Sequence, residues 1–243
     1  MNLFDKFDQT LAGNGQTETP ALAGATLGAP IKTKEEIESE WLKKRWGKFT
    51  ASEVYKLMTC ENQDGLPKGA MSYVVKKAAE SLTDFTPEPY MNAAMQWGID
   101  HEPEAVDAFM ALTGLTVTHC KDGQEFIDGG HVGGTPDGII PSEFSGLEIK
   151  CPNSDTHLSY LQVKTGADLK AEAVQYYWQV QCLMMLTQSL HWYFVSYDPR
   201  FIDERLRLHI AMIEASAKDI AKLRERLNLA DEYKKNMVES ISK

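Results

Sequence analysis

No two of the four cysteines in this 243-residue sequence stand close together: Cys60, Cys120, Cys151 and Cys182 form no C-x-x-C pair. That spacing excludes a zinc ribbon and gives no disulfide framework, so four reduced thiols in or near a core are expected. No apolar run is long enough to span a bilayer, which argues against an integral membrane protein. The first thirty residues lack the basic start and apolar stretch of a secretory signal, so a cytoplasmic location is expected. An excess of positive charge is also missing: 25 Lys and Arg stand against 35 Asp and Glu, a net charge of −10. Net charge governs solubility and long-range fields, not local sites, so an acidic chain can still hold a polyanion with a basic patch or with metal ions. No internal repeat is found. What is present is a 43% hydrophobic fraction, enough for one α/β domain with short appendages.

Residues 1–31, rich in Gly, Ala, Thr and Pro, read as a mobile arm. Residues 32–213 read as the folded domain, and 214–243 as a charged C-terminal helix. Thr33-x-x-Glu36 is a capping-box pattern that opens a helix running to Arg45, and Thr50-x-x-Glu53 opens a second, ending near Met58. Further helices are predicted over 70–82 and 91–112. Pro103 lies inside the latter, implying a kink or two abutting helices, and Gly114 is placed to stop it. Short strands are predicted at 115–120, 132–135, 138–140, 146–151, 191–197 and 206–212, with a helix at 169–186. This order of elements implies an α/β architecture, a mixed central sheet flanked by helices.

The chemistry concentrates in Thr135-Pro136-Asp137-Gly138 followed by Leu147-Glu148-Ile149-Lys150-Cys151-Pro152. On a strand, Glu148 and Lys150 share one face while Leu147, Ile149 and Cys151 share the other. Asp137 and Glu148 are oxygen ligands suited to Mg²⁺, and Lys150 could orient or deprotonate a water and offset charge on a phosphate. Each half alone has an ordinary reading, a solvated E-x-K pair or a Pro-Asp-Gly turn; their conjunction points to metal-assisted phosphodiester cleavage. Glu102, in the helical stretch Gln96–Glu102, is either a surface carboxylate or the third carboxylate of a two-metal site. Arg45-x-Gly47-x-x-Thr50-Ala51-Ser52 is either a loop arginine beside a capped helix or a phosphate cradle at a helix N-terminus. Gln179 and Gln181, two residues apart on a helix, point to different faces, so at most one faces an active centre.

The ordered series R-x-G-x-x-T-A-S, G-x-x-x-E-P, G-G-T-P-D-G, L-E-I-K-C-P, Y-x-x-Q-V-Q and W-Y-F-x-x-Y-D-P-R resembles the lambda exonuclease (YqaJ-like viral recombinase) family across about residues 41–200. The resemblance implies the PD-(D/E)XK restriction-endonuclease-like core. It implies Asp137, Glu148 and Lys150 as the catalytic triad, the Ile149 carbonyl as a further metal ligand, and Glu102 as the helix glutamate assisting a second metal. It implies Gln179 near the reacting atoms, and Arg45 and Ser52 on a terminal 5′-phosphate. The cofactor implied is Mg²⁺, two ions per site, with Mn²⁺ as substitute. The implied activity is processive 5′-to-3′ digestion of double-stranded DNA ends. The 3′ single strand left behind would pass to an annealing protein in phage recombination, and a ring-shaped homo-oligomer, a trimer, would encircle the duplex. No cysteine follows Cys182, so the iron–sulfur branch of the superfamily is not expected. Two competitors remain: an endonuclease on the same fold (restriction or junction-resolving), and a non-catalytic DNA-binding subunit, which the intact triad disfavours.

Overall fold

The computed structural model describes residues 34–60, 62–84, 92–120 and 123–241, the side chains of 34–38 excepted. The expected N-terminal arm and Thr33 lie outside these residues. The chain divides into two units, Met1–Trp41 and Leu42–Lys243.

Helix α1 (Lys34–Arg45) ends on Lys43, Lys44 and Arg45, cations that suit the negative end of a helix dipole. Gly47 follows with φ +68°, and β1 (Phe49–Thr50) leads into a 3-10 helix, Ala51–Leu57. The expected capping box at Thr50 does not form. Tyr73 Oη accepts the Thr50 N–H at 3.1 Å and Glu53 turns to Lys56 and Lys77, so the Glu53 half of the box is lost, and Thr50 Oγ1 makes no cap bond of its own. Helix α2 (Lys68–Ser81) is followed by α3 (Ala93–Thr113), which starts on an Asn92 side-chain cap. It runs through Pro103 as one helix, not two, and stops at Gly114 with φ +73°.

Among the described residues the strands form a three-stranded and a four-stranded sheet, both mixed. The first, in the order β1–β3–β2, joins β1 to β3 (Val132–Gly134) in parallel and to β2 (Ile127–Asp128) through it. The second contains β4 (Gly138–Ile140), β5 (Ser145–Lys150), β6 (His191–Tyr197) and β7 (Leu208–Glu214) in that order; β5 and β6 are parallel, the other pairs antiparallel. Residues 115–120 make only an isolated bridge, Thr118 with Ile139. Val117 is buried and Leu115 half-buried by packing on the core beneath α3, without a ladder of their own.

Between β5 and β6 lie α4 (Ser154–Tyr160), α5 (Gly166–Glu172) and α6 (Val174–Thr187). The stretch expected as one helix from 169 is broken at Ala173, whose φ of −145° and ψ of 69° are not helical. Tyr177 to Met184 are all buried, so the middle of α6 is enclosed on every side and carries no amphipathic period. Gln181 is satisfied inside: its Nε2 donates to the Glu214 carbonyl at 2.9 Å and its Oε1 accepts from the Ser216 N–H at 2.8 Å. Helix α7 (Ala217–Ile241) closes the chain.

The second sheet separates two cores. Trp192 and Phe194 join α6, the 3-10 helix, α2 and α7, whereas Val195 joins Leu147, Ile149 and the α3 residues Ala105, Val106 and Phe109. Each fully buried Leu, Ile or Phe contributes roughly 1.5–3 kcal/mol. The period-2 reading of β5 therefore holds: its apolar face rests on α3, and Glu148 and Lys150 take the opposite face. Among the described residues no helix is long and apolar enough to cross a membrane.

Candidate active site

Strand β5 carries Glu148 and Lys150 beside Asp137, which precedes β4. Asp137 is tied to β5 twice: its N–H donates to the Leu147 carbonyl at 3.2 Å, and its Oδ2 accepts from the Ile149 N–H at 2.6 Å. Lys150 Nζ donates to Glu148 Oε1 and to the Ile149 carbonyl at 2.9 Å, lies 3.8 Å from Asp137 Oδ2, and sits 4.9 Å from the centre of the Tyr176 ring. The four sequence-derived members of this group, Ile149 included, are thus brought together.

The electrostatics follow from burial. Glu148 is fully buried; burial and the Asp137 charge raise its pKa, against the opposing pull of Lys150. Asp137 is raised by burial too, against Lys150 and the Ile149 N–H. Glu102, on α3, is raised by burial and by the Asp137 charge, which brings it into the same field. Burial would lower the Lys150 pKa, yet Glu148 and Asp137 outweigh it and hold the ammonium charged.

Glu148 Oε2 is buried with no hydrogen-bond partner. A buried carboxylate oxygen left unpaired costs free energy, and a cation is what would relieve it. Among the described residues no three His, Cys, Asp or Glu side chains form a preassembled metal cluster; the Lys150 ammonium supplies the positive charge here. The donor set is nevertheless all oxygen: Asp137, Glu148, the Ile149 carbonyl and Glu102. It fits a hard divalent ion and not a soft one.

Two partners escaped the sequence reading. Gln124 Nε2 donates to Glu102 Oε1 at 2.6 Å, from a segment outside named strands and helices that carries no periodic signal. Tyr176 covers the Lys150 ammonium; it stands three residues before Gln179, a spacing that puts both on one face of α6. Gln179 is buried on that face, whereas Gln181 serves the backbone of β7 and α7, so the two do part company as the spacing required.

The Y-D-P-R segment after β6 is explained by an arginine clamp. Asp198, fully buried, accepts from the Arg200 N–H, Nε at 2.7 Å and Nη2 at 3.0 Å. Arg200 Nη2 also donates to the Pro152 carbonyl at 2.9 Å, two residues beyond Lys150. Its guanidinium lies 4.4 Å from the Trp97 ring, which stacks at 3.7 Å on His101, the neighbour of Glu102. One side chain thus links the end of β5 to the helix of Glu102.

Arg45 and Ser52 belong to a second group. Arg45 ends α1 and is half-buried; desolvation lowers its pKa, opposed by Glu53, Tyr73 and Glu80. Lys77 Nζ is 2.9 Å from Glu80 Oε2 and 3.7 Å from Glu53 Oε2, while Lys76 is 3.9 Å from Glu53. With Lys56 on Glu53, three lysines pair with these two carboxylates. Ser52 is exposed in the 3-10 helix. Tyr73 takes the Thr50 N–H at the start of this 3-10 helix, so that amide is engaged within the protein.

The chain matches the YqaJ-like viral recombinase domain over residues 40–189. It is similar to an alkaline exonuclease, LHK-Exo, from Laribacter hongkongensis: 28% identity, TM-score 0.70, covering 84% of this chain and 96% of that one. The structure of LHK-Exo in complex with dAMP matches at 28% identity and TM-score 0.69, over 84% and 95%. A phage-related exonuclease from Haemophilus somnus 129PT shares the fold at 19% identity, TM-score 0.65, over 80% and 96%. No curated protein matches the chain significantly. The mixed α/β core is that of the PD-(D/E)XK fold. With 150 consecutive residues matched, from the end of α1 to the end of α6, the chain belongs to the YqaJ-like viral recombinase domain family.

Proposed function

We propose that this chain is a Mg²⁺-dependent exonuclease that digests linear double-stranded DNA from the 5′ end and leaves 3′ single strands for annealing-type recombination. Family membership and the likeness to alkaline exonucleases support a nuclease. The observation that carries the catalytic reading is the buried Glu148 carboxylate, one oxygen on Lys150 and the other without a partner, beside Asp137 and Glu102.

Asp137, Glu148, the Ile149 carbonyl and Glu102 would hold Mg²⁺, or Mn²⁺ in its place. When bound, such ions supply positive charge to the scissile phosphate and acidify a water toward neutrality. The protein's own part is positioning and charge. Asp137 is held in place by the Ile149 N–H, and Glu102 by Gln124. Lys150 keeps its proton at Nζ between two carboxylates, so it orients water and offsets charge developing on the phosphate rather than acting as the base. Tyr176 covers the Lys150 ammonium, and Gln179, three residues on along the same helix face, would approach the reacting phosphate from that side. Arg45 and Ser52, with the lysines around them, take the terminal 5′-phosphate, which carries more charge than an internal diester. The reading extends to a ring-shaped homotrimer around the duplex and to a single-strand annealing partner.

The test is digestion of linear duplexes bearing 5′-phosphate or 5′-hydroxyl ends, with and without Mg²⁺, alongside a supercoiled circle. Digestion of phosphorylated ends with Mg²⁺ and an intact circle are expected. Nicking of the circle would instead make the chain an endonuclease.

A further inference from the structure

Helix α7 lies outside the residues matched to the family domain, and no role in the reaction has been given to it. It carries two cations whose hydrogen bonds go to backbone carbonyls far back in the sequence. Arg226 is fully buried. Its Nη1 donates to the carbonyls of Leu57 at 2.7 Å and Thr59 at 2.9 Å, and its Nη2 to those of Cys60 at 2.8 Å and Gln63 at 2.9 Å. It thereby fixes the end of the 3-10 helix and the turn after it, where Cys60 is held at φ +52°, a conformation that costs a non-glycine residue free energy. Two turns along α7, Lys234 Nζ donates to the Gly47 carbonyl at 2.9 Å and stands 5.5 Å from the centre of the Phe49 ring. Asp231 lies 3.5 Å from the same ammonium. The other side of the Gly47 peptide is also held: its N–H donates to Glu80 Oε2 at 3.3 Å.

The order along the chain gives these contacts their meaning. Arg45 comes just before the Lys234 anchor, Ser52 lies between the two anchors, and Leu57 to Gln63 carry the Arg226 anchor. Carbonyls at both ends of one short segment are bound by one helix, by charged donors that form stronger hydrogen bonds than neutral ones. We infer that Arg226 and Lys234 are positioning residues that set the spacing of Arg45 and Ser52, and so the preference for a 5′-phosphorylated end. This rests on the end-phosphate reading proposed above.

The experiment compares wild type, Lys234→Met, Lys234→Arg and Arg226→Lys on linear duplexes with 5′-phosphate or 5′-hydroxyl ends. The ratio of initial rates on the two ends is read, together with KM for the phosphorylated end. Thermal unfolding and hydrogen exchange over residues 46–60 are measured on the same preparations. Lys234→Met should lower the rate ratio by roughly tenfold, raise KM for the phosphorylated end and speed exchange over 46–60, since small misplacements of a binding group are amplified in rate. Lys234→Arg, which keeps a charged donor, should recover most of the ratio. Arg226→Lys tests the other anchor; if it fails to fold, Lys234→Met reads the same quantity. A folded Lys234→Met protein with the wild-type ratio would overturn the inference while leaving the end-phosphate reading intact. Equal rates on both ends by the wild type would overturn that reading and this inference with it.

Discussion

Replacing Asp198 by Asn would test whether the Arg200 clamp stabilises the fold through charge. Burial pushes the Asp198 carboxyl up, but hydrogen bonds from Arg200 and Ser154 outweigh it and hold the pKa at about 2, against an ordinary 3.8. At about 1.4 kcal/mol per pH unit, that depression corresponds to roughly 2.5 kcal/mol. Arg200 is 43% exposed, so solvent screens part of this, and about 1–2 kcal/mol is the expected loss at pH 7. The folded pKa lies below the unfolded one, so the stabilisation is complete above about pH 5 and fades as the pH falls toward 2. Urea unfolding of wild type and Asp198→Asn at pH 7, 5 and 3 should therefore show a gap that narrows at pH 3. A gap that is absent at pH 7, or unchanged between pH 7 and 3, would refute the argument.

Three further outcomes are expected. Lys150→Met should reduce cleavage by about 10²–10³-fold while leaving duplex binding measurable, because the ammonium stabilises charge rather than gripping the duplex; near-normal turnover would remove Lys150 from the reaction. Gln124→Ala, which deletes the 2.6 Å bond to Glu102, should raise the Mg²⁺ needed for half-maximal activity by between about 10- and 100-fold. An unchanged Mg²⁺ titration would return Glu102 to the role of an ordinary helix carboxylate. Gly146→Ala should destabilise by roughly 1–3 kcal/mol or more, since a Cβ there would stand 2.5 Å from the Trp192 ring and 2.7 Å from the Gly138 carbonyl; calorimetry reads it directly.

The alternation of Leu147, Glu148, Ile149 and Lys150 was legible because a strand with one apolar face must show that period. Gly114 announced the end of α3 for an equally local reason, the left-handed conformation that glycine adopts without strain. The Thr50 capping box misled because the decisive partner, Tyr73, lies 23 residues away and takes the N–H that the box requires. Residues 115–120 carry a strand-like composition, yet they make a single bridge at Thr118, and Leu115 and Val117 pack into the core that α3 covers. Gln124 and the Arg200–Trp97 stack could not be read at all, since each joins segments that no local pattern connects. The carboxylates of Asp137 and Glu148 were readable from motif order, but the ammonium between them and the unpartnered Glu148 oxygen required the packed interior.

The reach of α7 back to residues 47 and 57 also sets an order of events during synthesis. The Arg226–Leu57 contact spans 169 residues and the Lys234–Gly47 contact 187. Chains emerge from the ribosome N-terminus first, and contacts this distant in sequence are closed only when the last segment is available. Asp137, Glu148 and Lys150 can meet as soon as β4 and β5 pair, well before the C-terminal helix is made. A nascent chain can therefore assemble the group around Glu148 before the segment from Gly47 to Gln63 gains its bonds to α7.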